Sequence, residues 1–85
     1  MKSGDYIKVV YIKEFKNYFV AQVLETYEDI ITQEIVAAQV RIIEDFDKTW
    51  SKFPKGYTIK LHIKDNENKY TVYPIEESEV FSHIL

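Results

Sequence analysis

Three side chains that carry or can take a positive charge, Lys60, His62 and Lys64, alternate along the run Tyr57 to Lys64 (YTIKLHIK). Alternation at period two puts them on one face of a strand, opposite Tyr57, Ile59, Leu61 and Ile63. Lys8, in the β-rich run Tyr6 to Ile12, and Tyr73, in the run Lys69 to Tyr73, belong on the same face of neighbouring strands. Cations interleaved with an aromatic ring can hold phosphates and stack a base, as proteins that bind single-stranded nucleic acid do. The same lysines also suit a sheet face that meets only water and resists edge-to-edge pairing. Lys8, Lys60, His62, Lys64 and Tyr73 are therefore the candidate residues for binding nucleic acid or another partner.

A second group is acidic: Glu28, Asp29, Glu34, Glu44, Asp45 and Asp47, with Glu76, Glu77 and Glu79. Such a surface could meet a basic protein or imitate the phosphates of DNA, although the outer faces of helices are usually charged in any case. Asp65-Asn66-Glu67-Asn68 offers oxygen ligands but lacks the glycine and the terminal glutamate of a calcium loop, so a turn explains it better. Glu79 and His83 stand four apart with no third ligand nearby, which favours a helix-surface pair over a metal site. The chain has no nucleophile motif, glycine-rich phosphate loop or HExxH pair. No cofactor, metal site or catalytic residue is expected, and the chain reads as a non-enzymatic protein.

Composition narrows the classes further. The chain has 85 residues, 46% hydrophobic and 15% aromatic, with two glycines, two prolines and no cysteine. That describes one domain over residues 1–85, with neither a disulfide framework nor a thiolate centre. The formal charge of −3 is unlike the basic excess of a general nucleic-acid binder. It is also unevenly spread: residues 1–27 and 57–73 each carry +1, whereas residues 28–53 and 74–85 each carry −3. The longest apolar stretch is a few residues, too short for a membrane span, so the expected compartment is the cytoplasm. Ten lysines against one arginine, with frequent isoleucine, fit a low-GC prokaryotic, phage or plasmid source.

The elements that must position these residues follow from periodicity. Tyr57 to Lys64 and Lys69 to Tyr73 flank the Asx-rich segment and predict a β-hairpin. Tyr11 to Tyr18 matches His62 to Tyr70 with one inserted residue, which predicts a second hairpin near the N-terminus. Between Gly4 and Pro54 there is no glycine or proline, so the chain there must turn without them or be largely helical. Ile31, Ile35, Ala38, Ile42, Phe46, Trp50 and Phe53 are spaced 4, 3, 4, 4, 4 and 3 apart, one face of an α-helix. Asp29 suits its N-cap, and Pro54 with Gly56 its stop. A short amphipathic segment, Glu79 to Leu85 with Ser78 as cap, ends the chain.

The resulting expectation is an α+β fold of ββαββα order, a two-layer structure with one long helix on an antiparallel sheet of two hairpins. The helix would pack on Ile7, Val9, Tyr11, Ile59, Leu61, Ile63, Tyr70 and Val72. At about 36 Å it would overhang so small a sheet. The alternative rests on Gly4-Asp5-Tyr6-Ile7-Lys8-Val9 and Tyr18-Phe19-Val20-Ala21-Gln22-Val23. This pattern resembles the opening of SH3-like and Tudor-like domains, and the resemblance implies a small β-barrel. The twelve tyrosines and phenylalanines point to a protein partner, foremost a second copy in a homodimer. The function expected is thus a protein-interaction module, an accessory or regulatory factor. Nucleic-acid binding through the lysine face is the alternative.

Overall fold

The computed structural model describes residues 1–13, 17–46 and 53–84, and the side chains of residues 81–84 are not part of that description. Among these residues, five strands form one antiparallel sheet: β1 (Tyr6–Tyr11), β2 (Tyr18–Glu28), β3 (Ile35–Asp45), β4 (Thr58–His62) and β5 (Tyr70–Ile75). A 3₁₀ turn at Lys64–Asn66 precedes β5, and one short helix, α1 (Glu77–Ile84), follows it. The strand order is β4-β3-β2-β1-β5.

This overturns the ββαββα expectation. The segment read as a long helix is the β2–β3 turn and strand β3, and its Asp47 to Lys52 portion, with Trp50, lies outside the described residues. The physical reason is arithmetic. A spacing of four satisfies two turns of β pleat as well as one turn of helix, so Ala38, Ile42 and Phe46 fit either period. Val40 breaks the tie, because it points inward with Ala38 and Ile42. Val36, Val40, Ile42 and Ile43 are also β-branched, and neighbouring strands reward that where an isolated helix would not.

The predicted hairpin of β4 and β5 is likewise absent, although both strands exist. They sit at opposite edges of the sheet, β4 beside β3 and β5 beside β1. In a flat sheet those edges would be about 19 Å apart. Yet the Tyr70 hydroxyl of β5 donates to the His62 carbonyl of β4 at 2.7 Å. The sheet is therefore strongly curled. Register shifts at Val20/Ala21, Val23/Glu25 and Tyr27/Glu28 bend the long β2–β3 pair and allow the curl. The expected N-terminal hairpin does form, with Ile7 opposite Ala21 and Val9 opposite Phe19.

The core lies on the concave side. Ile7, Val9, Phe19, Ala21, Val23, Ala38, Val40, Ile42 and Leu61 are buried there, with Tyr11, Phe53, Ile59, Ile63, Tyr70 and Val72 packed against them. All eight residues expected under a helix are in this set, but the other half of the curled sheet covers them instead. Asp45, assigned to a solvent-facing helix surface, is buried and accepts the Phe53 amide at 2.6 Å. That bond brings the Phe53 ring edge-on to Phe19, 5.9 Å between centroids. The terminal helix is found where expected, begins two residues earlier at Glu77, so that Ser78 lies within it rather than capping it, and buries Val80.

Candidate functional site

The five residues singled out from the sequence do not form one patch. Lys8 and Tyr73 do meet, as directly opposed residues on β1 and β5. The Lys8 ammonium sits 4.4 Å from the centroid of the Tyr18 ring, which stacks on Phe46 at 4.7 Å. Lys60 and His62 lie on β4, with β3 and β2 between them and β1. Three strand spacings make that about 14 Å along the sheet. The Lys60 ammonium stands 4.5 Å over the Tyr27 ring. Lys64 belongs to the 3₁₀ turn and pairs with Glu34 at 3.2 Å and Glu67 at 3.7 Å. The Glu34 hydrogen bond, and then the two carboxylate charges, hold its pKa above the ordinary lysine value. All three lysines thus have their charge over a ring or against a carboxylate, which makes them less available to a phosphate.

The polar run expected to be a turn has a structural use. Asn66 donates from Nδ2 to the His62 carbonyl at 2.7 Å, beside the Tyr70 hydroxyl on the same oxygen. Burial is the main cause of a raised Tyr70 pKa. Among the described residues, no group of three or more His, Cys, Asp or Glu side chains comes together as a metal would require. The Glu79–His83 pair falls partly outside the described side chains. No helix among the described residues is long and apolar enough to cross a membrane.

The feature that sequence reasoning missed is the tip of the β2–β3 hairpin, Glu28 to Glu34. Ile30 and Ile31 are 96% and 91% exposed there. The turn that carries them is tightly bonded. The Asp29 carboxylate accepts the amides of Ile31 at 2.8 Å and Thr32 at 3.1 Å. The Asp29 amide donates to the Glu34 carbonyl at 2.9 Å, and the Gln33 amide to the Asp29 carbonyl at 2.8 Å. The Glu34 amide reaches the Thr32 hydroxyl at 3.3 Å. Backbone hydrogen bonds from Thr32 and Ile31 lower the Asp29 pKa below the usual carboxylate value, so this carboxylate is charged at neutral pH. Gln33 takes φ +59°, the left-handed conformation usually supplied by glycine. This is how a stretch without glycine or proline turns. The Asp29 bonds are the two that an N-cap would make, so the side-chain chemistry was legible although the element was not.

Glu28, Asp29 and Glu34 flank the isoleucines along the chain, with the Asp29 carboxylate taken up by the turn and that of Glu34 by Lys64. Elsewhere, a cleft of about 330 Å³ is lined by Tyr11, Lys13, Asn68 and Lys69. Its Tyr11 ring is braced by Phe19 and, edge-on, by Tyr70. Comparison of the chain with protein-family models, curated proteins and solved structures finds no match.

Proposed function

We propose that the chain works as a protein-interaction module, an accessory or regulatory factor rather than an enzyme, and that the β2–β3 tip is its contact element. One observation carries this reading: two adjacent isoleucines are almost wholly exposed on a turn held by five hydrogen bonds. A single exposed apolar side chain is ordinary. Two together at a projecting tip are a ready-made anchor, since fully burying each is worth about 1.5–3 kcal/mol. A turn already held in shape loses little entropy when it docks, which preserves that gain.

The test compares wild type with Ile30→Ser/Ile31→Ser, both immobilised and exposed to a lysate of the source organism. Both are expected to melt alike by circular dichroism, while proteins retained by wild type are lost from the variant. Retention of the same proteins in the same amounts would overturn the reading.

The nucleic-acid reading keeps one favourable observation, the opposed pair Lys8 and Tyr73. It predicts oligonucleotide binding that weakens steeply with salt and with Lys8→Ala. Fluorescence anisotropy at low salt that shows no binding ends it.

A further inference from the structure

We infer that the β2–β3 tip docks into the Tyr11–Lys69 cleft of a second copy, reciprocally, in a two-fold dimer. The inference rests on the reading of the tip as a contact element and names its partner.

The two surfaces are complementary in chemistry. The tip presents Ile30 and Ile31 with the exposed Glu28 beside them, while the Asp29 carboxylate is held by the turn amides and that of Glu34 by Lys64. The cleft presents the Tyr11 ring as an apolar wall, with Lys13 and Lys69 beside it. Lysine stems extend such a wall while their ammonium groups remain at the rim, where the Glu28 carboxylate of an incoming tip would meet them. Among the described residues neither lysine is in an ion pair. At about 330 Å³ the cleft lies at the lower end of the range for specific pockets, suited to a small apolar anchor rather than a large ligand.

The position of the two surfaces decides the kind of assembly. Glu34 at the base of the tip bonds Lys64, which opens the β4–β5 connection, and Asn68 and Lys69 close that same connection. Tip and cleft thus flank one short segment. A single insertion buries too little to offset the freedom lost when two molecules associate, which disfavours an open head-to-tail chain. A two-fold dimer makes both insertions in one association step, and each surface meets its complement twice.

The experiment is sedimentation velocity on the full chain up to about 1 mM, the limit at which so small a contact would still register. Wild type is expected to pass from monomer to dimer, without higher species. Ile30→Ser/Ile31→Ser is expected to stay monomeric. Glu28→Lys alone and Lys69→Glu alone each set like charges together and weaken dimerisation about tenfold, whereas Glu28→Lys/Lys69→Glu in one chain restores it. All four side chains are exposed, and Lys69 holds Ile12 only through its backbone carbonyl, so circular dichroism should show each variant folded. A wild type that is monomeric throughout, a serine variant that still dimerises, or a charge swap without rescue overturns the inference. If wild type stays monomeric but the serine variant loses proteins in the lysate comparison, the tip remains a contact element with a different partner. If neither experiment responds to the isoleucines, both readings fall.

Discussion

Residues 29–34 join β2 to β3, which are neighbours in the sheet; residues 63–69 join β4 to β5, which lie at its opposite edges. The connections are nearly equal in length and both are tied by side-chain hydrogen bonds. In the second, those bonds serve the fold: Asn66 and Tyr70 converge on the His62 carbonyl and pull the sheet edges together. Its apolar member, Ile63, packs against the core. In the first, the bonds close on the turn itself except for the Glu34–Lys64 pair, and its apolar members point outward. Local bonding alone therefore does not say what a loop is for. The direction of its apolar side chains does, because only outward ones are left for something outside the chain to bury.

The contrast is broken most severely at Tyr70. Tyr70→Ala removes a ring from the core margin and a brace between edges, and is expected to lower stability by about 3 kcal/mol in urea unfolding. Tyr70→Phe keeps the ring and loses only the hydroxyl bond, so a loss of about 1 kcal/mol is expected. Equal losses for the two would mean that the ring contributes nothing.

At the tip the effects are smaller. Asp29→Ala is expected to destabilise less than Tyr70→Ala and to speed hydrogen exchange at the Ile31 and Thr32 amides, with the sheet amides nearly unchanged. The charge gives a pH test. A folded pKa below the unfolded value of about 3.9 means that the carboxylate's contribution is complete above that value. It is lost as pH falls through the lower, folded pKa. The Ile31 and Thr32 amide resonances should therefore titrate below pH ~3.9, and a midpoint at or above it would contradict the hydrogen bonds.

Gln33→Gly relieves the left-handed backbone but makes the unfolded chain freer, for a net gain of about 0.5 kcal/mol. A loss would mean that the Gln33 side chain matters more than its φ. Smallest of all, Ile30→Ser/Ile31→Ser should leave stability within about 0.5 kcal/mol of wild type, because nothing in the fold is packed on these side chains. A larger fall would make them structural and remove the distinction between the two connections.

Much of the sheet was legible from the residues. β1, β4 and β5 carry clean alternation, and the inward set Ile7, Val9, Ile59, Leu61, Ile63 and Val72 was read correctly because each strand has one wet and one dry face. β3 was misread because its inward residues Ala38 and Ile42 fall at a spacing that both periods share. Pairing was less legible than strand identity: nothing local in Asp65-Asn66-Glu67-Asn68 distinguishes a hairpin turn from a link between curled edges. The tip was hidden by the same error, since a helix beginning at Asp29 takes Ile31 into its buried face. The lysine face was legible residue by residue, but its unity depended on strand order, which placed β4 three strands from β1.

The most direct measurement is backbone ¹⁵N relaxation at Ile30, Ile31, Thr32 and Gln33 in the free protein. A contact element held ready by the Asp29 bonds predicts order parameters near 0.85, like those of the adjoining strands. Values below about 0.6 would show a turn that is not shaped until something binds it, and would contradict the account.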